Sequence, residues 1–413
     1  MEIQPAGAAV APTLETDEWE LIVAEQDYVV LMGPPPRRTR GPGAVPSTAQ
    51  PGVEDLTIER HTLTEAGRSD LERDPRTRAV AAAMPMTLIE PMDGDDSAEP
   101  QSGPTWGVEA VGATNSPFDG TGVTVAVLDT GIDPNHDAFT GVTLERKNFT
   151  TESDDDLNGH GTHCAGTVFG QDLNGLRIGV ARSVDKALIG KVLGQGGGTS
   201  LTIAEAIQWA VAEGAHVISM SLGIDFPGYV DDLVNNQGLN VNPATSIALA
   251  EYRRNTNLFN AVADAVNAQG PFGDGTVIVA ASGNESERPE YEIAVAPPAA
   301  GIGLIACGAL QQGAAGLGVA SFSNTEVDVS APGVNVVSAR RGGGTVALNG
   351  TSMATPHVAG VAALWAQKLL DVQGGVDSDV LSAQVLARAD TTALAPEFGY
   401  DDVGQGLVQA PAA

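Results

Sequence analysis

Four short segments carry residue types that together perform acyl chemistry. The run Val125-Ala126-Val127-Leu128 leads into Asp129-Thr130-Gly131, and Asn158 to Thr167 reads NGHGTHCAGT. An apolar stretch, TVIVAAS, leads into Gly283-Asn284, and Asn349 to Gly360 reads NGTSMATPHVAG. They supply a carboxylate, an imidazole, an amide donor and a hydroxyl, the set that acyl transfer to serine requires. Ser352 alone is a poor nucleophile, so His160 takes its proton as attack begins and returns it to the leaving amine. Asp129 holds the imidazole in the right tautomer and stabilises the imidazolium. The tetrahedral oxyanion needs preorganised donors, here the Asn284 side chain and the Ser352 backbone N–H at a helix N-terminus. No cofactor is required for such chemistry.

In an open parallel sheet, ligands bind beyond the carboxyl ends of the strands, which is where Asp129 and Asn284 fall. From Val123 onward, apolar β-branched runs (123–129, 187–193, 216–222, 276–282) are interleaved with helical segments, one of them Ile203 to Glu213. Near-continuous apolar strands separated by helices predict an α/β fold with a parallel sheet covered on both faces. The long connection from Ile224 to Gly275 contains a predicted amphipathic helix, Ala244 to Asn267. Ile247, Leu258, Phe259, Val262 and Val266 face inward, and Pro243 suits its first turn.

Residues 1 to about 98 differ in texture: Pro34 to Pro36, then Arg37, Arg38 and Arg40, then a Pro/Gly/Ser-rich stretch to Gly52. A β-like run within Glu18 to Met32 and a helical pattern over Asp55 to Val80 predict a small α+β module. Asp93 to Pro104 is acidic and rich in Pro, Ser and Gly, the composition of an exposed linker. The main domain is then 105–413.

Against 21 Lys+Arg stand 52 Asp+Glu in 413 residues, a formal charge of -31. That balance excludes nucleic acid and an anionic membrane surface as partners, since both need clustered basic side chains. No apolar run reaches transmembrane length. Cys164 and Cys307 are too few for a disulfide framework. Met1 to Val30 holds no Lys or Arg and no apolar stretch of signal-peptide length, so the expected compartment is the cytoplasm, or the exterior if translation starts upstream.

Rival readings of single motifs are weaker. His160 and His163 are spaced for a metal pair, but no HExxH glutamate accompanies them. The glycines 194 to 198 lack the strand and helix context of a phosphate cradle. Asp154 to Asp156 is read as a solvated loop in preference to a calcium site. The absence of a GxSxG elbow argues against an esterase.

Together the four segments resemble those of the subtilisin family of serine peptidases, in the chain order Asp, His, Ser. The resemblance covers Trp106 to Ala413 and extends to Ser221-Leu222-Gly223, the helix after Ser352 and the closing GQGLVQA. It implies a three-layer fold with a central parallel β-sheet and a serine endopeptidase working through an acyl-enzyme. Asn284 separates the chain from sedolisins, which place an acidic residue at the oxyanion position. Substrate would lie extended between Gly196, Gly197, Gly198 and Thr199 on one side and Ser221, Leu222 and Gly223 on the other. The first pocket would be walled by Ser221 to Gly223 and by Ala281, Ser282 and Gly283, with Ala296 near its base and Glu285 at its rim. Such walls favour an apolar or uncharged residue before the cut, and Glu285 leaves a basic one open.

More loosely, the segment before residue 98 resembles the family's propeptide, whose tail, here including Met84 to Pro91, would occupy the cleft. The implied partners are a protein or peptide substrate and the chain's own propeptide. Cys164 resembles the free cysteine of proteinase K-like members. Ala138 stands where the family's calcium-binding aspartate is expected, and Arg177 falls in the matching loop. Calcium independence is therefore expected and no metal ligand is assigned. The alternatives are a dedicated processing peptidase and an inactive protease-fold binding protein.

Overall fold

A computed structural model describes residues 25–34, 55–94, 102–268 and 275–412; the Leu21-Ile22-Val23 run and the Arg37 to Gly52 stretch lie outside them. The amino-terminal elements are β1 (Gln26–Met32), β2 (Thr57–Leu63), α1 (Glu65–Glu72), β3 (Thr77–Ala82), β4 (Pro85–Leu88) and β5 (Met92–Asp93). β2, β1 and β3 form an antiparallel sheet in that order. The helical pattern expected over Asp55 to Val80 thus gives way to strand at both ends. Only Glu65–Glu72 is helical, capped by the Thr64 hydroxyl, because the alternating Ile58 and Thr62 flanking it suit a pleated edge.

The main domain adds β6 (Gly103–Pro104), α2 (Trp106–Ala110), β7 (Thr124–Asp129), β8 (Thr143–Asn148), α3 (His160–Phe169), β9 (Leu176–Arg177), β10 (Lys186–Lys191), β11 (Gly198–Thr199) and α4 (Ser200–Ala212). There follow β12 (Val217–Met220), β13 (Leu222–Gly223), α5 (Phe226–Asn235), α6 (Val241–Asn267), β14 (Val277–Ala281), β15 (Ile305–Gly313) and β16 (Gly316–Val319). β17 (Val329–Pro332), β18 (Val336–Ala339), β19 (Thr345–Asn349), α7 (Thr351–Gln373) and α8 (Ser378–Ala387) complete the set used below. The central sheet runs β16-β15-β14-β12-β7-β10-β8, with β17 beside β15. All its pairings are parallel except β15 with β16.

Alternate residues of the central strands β7, β10, β12 and β14 enter two different cores. Val125, Val127, Val217 and Val279 pack with α3 and α7, whereas Ala126, Leu128, Ile218 and Ala280 pack with α4 and α6. Burial on both faces is why these strands read as unbroken apolar runs. The outcome is a three-layer α/β domain. α7 passes through the first core with nearly every residue of its first four turns buried. Small residues permit this: a Cβ on Gly360 would stand 2.6 Å from Val180.

The small amino-terminal sheet has no separate core. Tyr28 to Leu31 and Val80 to Ala82 join the second core over α4 and α6. Polar contacts tie the same seam: Gln208 donates to the Leu56 carbonyl at 2.9 Å and Asn255 to the Ala82 carbonyl at 3.3 Å. α6 starts three residues before the expected Ala244, and Ile247 on it is only half-buried.

Candidate active site

The carboxyl ends of β7 and β14 and the starts of α3 and α7 meet at one end of the sheet. His160 is the first residue of α3, and its Nδ1 lies 2.8 and 3.0 Å from the two Asp129 carboxylate oxygens. Both side chains are buried. Burial opposes a charge on His160, but the Asp129 carboxylate outweighs that and raises the histidine pKa well above its ordinary value. A carboxylate on Nδ1 leaves Nε2 as the atom that exchanges protons.

What holds Asp129 and His160 together is a clamp that the motif pattern did not show. Thr130 accepts from the Gly161 N–H and donates to Asp156, both at 2.9 Å. Asp156 also accepts from the backbone N–H groups of Asn158, Gly159 and Thr162 and from the Thr162 hydroxyl. Burial would raise its pKa, but those donors win and lower it. Asp156 is therefore a buried anchor for the start of α3, not part of a solvated loop. Gly161 completes the joint, since a Cβ there would fall 2.2 Å from the Gly131 carbonyl.

Ser352 is the second residue of α7. Pro356, one turn later, has no N–H to offer the Ser352 carbonyl. Ser221 Oγ and Cys164 Sγ take that place, at 3.2 and 3.4 Å. Asn284 is oriented from behind: its Oδ1 accepts from the Thr351 N–H and hydroxyl, each at 2.9 Å, so its amide nitrogen faces the cleft. Asn324 fixes the preceding loop by donating to the Ser282 carbonyl and accepting from the Glu285 and Ser286 N–H groups. The Gly283 N–H reaches the Thr351 hydroxyl at 3.3 Å.

The cleft is occupied by the chain's own segment 85–93. β4 lies antiparallel between β11 and β13: Gly198 and Thr199 face Met86 and Pro85, and Leu222 and Gly223 face Leu88 and Thr87. Gly197 permits this approach, with φ +81 and the Met86 carbonyl 2.7 Å from where its Cβ would be, whereas Gly196 faces open space. Past the centre, Met92 and Asp93 pair with Asn349 and Leu348 of β19. Asp93, placed in the linker by composition, is thus a strand residue. In between, Ser352 Oγ donates to the Ile89 carbonyl at 3.1 Å and Asn284 Nδ2 to the Glu90 carbonyl at 3.1 Å.

Comparison with known proteins agrees with this architecture. The Subtilase family profile matches residues 120–400. The chain belongs to the subtilase family. It is 33% identical to a thermostable alkaline protease of Halalkalibacterium halodurans, over 75% of this chain and 73% of that one. It is 37% identical to subtilisin Savinase of Lederbergia lenta, over 64% of this chain and 84% of that one. A match to alkaline serine exoprotease A of Vibrio alginolyticus, 29% identical, takes in 94% of this chain and 68% of that one. By family, then, this is a subtilisin-like serine endopeptidase.

Several side chains of this subtilase have settled roles away from the cut. His163 Nε2 donates to the Val336 carbonyl at 3.0 Å, and burial pulls its pKa down to about 3. It faces β18 and not His160, so the pair is no metal site. Asp129, His160 and Cys164 do bring three ligand atoms within 4.8 Å of one another, but burial raises the Cys164 pKa and keeps it a thiol. Glu285, expected at the pocket rim, is partly buried and accepts a hydrogen bond from Asn324 Nδ2 at 2.6 Å. Among the described residues no helix is long and apolar enough to cross a membrane.

Proposed function

We propose that this subtilase hydrolyses internal peptide bonds of proteins or peptides through Ser352, His160 and Asp129, with Asn284 as oxyanion donor. The observation that carries this is the convergence of Ser352 Oγ and Asn284 Nδ2 on two adjacent carbonyls of a strand-like peptide, beside a buried His160–Asp129 pair. His160 Nε2 accepts the Ser352 proton as Oγ attacks, and Asn284 with the Ser352 N–H receives the charge that develops on oxygen. Strand pairing with β11 and β13 supplies affinity through the main chain, which suits a broad substrate range.

The amino-terminal module, 1–98 with its linker to about 104, acts as an inhibitory propeptide for the 105–413 peptidase domain. Its tail fills both sides of the cleft and its sheet covers α4 and α6. The test is intact mass after a fluorophosphonate probe, with the module first trimmed by trace active subtilisin. One adduct is expected on the wild-type protein and none on Ser352→Ala; no adduct on either would leave a protease-fold binding protein.

The family's calcium ligands do not fit here. Ala138 offers no carboxylate, and the Arg177 guanidinium donates to the carbonyls of Ala113, Gly179 and Val180 at 3.1 to 3.2 Å. Burial lowers its pKa to about 10, and it stays a cation. Arg177 takes the ion's place, so folding needs no calcium at this loop. The cytoplasmic expectation gains no support from the relatives. A precursor closed by its own segment suits release from the cell before activation, which assay of medium against lysate tests.

A further inference from the structure

We infer that the bond this chain cuts in itself is Ile89–Glu90, and that the residues seated before it define the preferred substrate class. The inference rests on the peptidase reading above. Register confines the choice: residues up to Leu88 are paired with β13, and residues from Met92 onward with β19. Only Ile89, Glu90 and Pro91 span the gap over Ser352.

Within that span, two bonds compete. The nucleophile's hydroxyl is on the Ile89 carbonyl. The Ile89 side chain is buried, with Cδ1 3.4 Å from where a Gly223 Cβ would stand, whereas Glu90 is exposed. The first pocket therefore holds Ile89. The rival bond, Glu90–Pro91, would need a ring nitrogen as leaving group and an exposed glutamate in the pocket.

In the step itself, Ser352 Oγ bonds to the Ile89 carbonyl carbon while its proton passes to His160 Nε2. The C–N bond to Glu90 then breaks and His160 protonates the departing Glu90 nitrogen. Water, its proton taken by His160, attacks the Ile89 ester, leaving a carboxylate on Ile89 and restoring the Ser352 hydroxyl. Before this, the Ser352 hydroxyl must turn from the Ile89 carbonyl to His160 Nε2, and the Asn284 amide must leave the Glu90 carbonyl for the Ile89 oxygen. The precursor is thus held two hydrogen-bond exchanges short of reaction, with strands anchored on both sides of the bond.

The same register describes the substrate class. Ile89 fills the first pocket, and Met86, three residues upstream, is fully buried between β11 and the second core, whereas Thr87 is exposed. Peptides with an aliphatic residue at the cut and a large apolar one three positions before it fit best.

The full-length wild type and Ser352→Ala are incubated and their new amino termini sequenced. Glu90 is expected as the terminus in the wild type and no cut in Ser352→Ala. A first terminus at Pro91 or within 94–104 overturns the bond while leaving the peptidase reading intact. So does an enzyme that labels with fluorophosphonate after trimming yet never cuts itself. No labelling overturns the peptidase reading itself. Ile89→Asp should slow processing at least tenfold, and an unchanged rate overturns the pocket assignment. A synthetic peptide matching residues 85–94, given to trimmed enzyme, checks the bond independently of precursor folding. A single cut after its isoleucine is expected; a cut elsewhere overturns the inference.

Discussion

At the scale of single residues, the donor geometry around Asn284 makes the sharpest prediction. Its Oδ1 is tied to Thr351, so Nδ2 is held toward the cleft, where it bonds the Glu90 carbonyl next to the Ile89 oxygen it must receive. Asn284→Leu should lower kcat of the trimmed enzyme by roughly a hundredfold with little change in KM; equal loss in binding would assign it to substrate docking instead. His160 makes a second prediction. Its pKa in the closed precursor is raised by Asp129 above the ordinary 6.5. Below that raised value it is an imidazolium and cannot take the Ser352 proton, so self-processing should climb with pH through a midpoint above 6.5. A rate already level at pH 6 would contradict this.

At the scale of elements, the joint between β7 and α3 deserves the same test. Asp156 satisfies five donors, three of them backbone N–H groups near the start of α3. Asp156→Ala leaves buried donors unpaired and should cost about 2–4 kcal/mol in denaturant unfolding. Its folded pKa is depressed, so its contribution is present above the ordinary carboxylate pKa and fades as pH falls through the lower folded value. Asp156→Asn should therefore show a shallower loss of stability on acidification than the wild type. Gly161→Val should separate α3 from Gly131 and abolish turnover even where the fold survives, as circular dichroism alongside a peptide assay would reveal.

At the scale of the whole molecule, one segment closes the cleft and one apolar seam holds the module that carries it. Trimming by trace protease should raise turnover of a peptide substrate severalfold or more, and addition of the isolated 1–93 fragment should reverse the gain. With Arg177 donating to three carbonyls, chelation should leave Tm unchanged, while Arg177→Ala should lower it. A large fall in Tm with a chelator would place a structural ion elsewhere.

The chemistry was legible in the sequence because each reacting group sits in a local motif at the end of a strand or the start of a helix. Asp129 and Asn284 follow unbroken apolar runs, and His160 and Ser352 come just after glycines at helix starts. The parallel sheet was legible for the same reason, since burial on both faces leaves continuous apolar runs. The strands at Thr57–Leu63 and the role of Asp156 were not, because exposure, pairing and desolvation are set by neighbours distant in the chain. Which carbonyl meets Ser352 is likewise a matter of register between segments more than 250 residues apart. Sequence alone determined which groups can react and on what scaffold; tertiary structure decided how they are braced and what lies across them, because hydrogen-bond partners and strand register form only when remote segments pack.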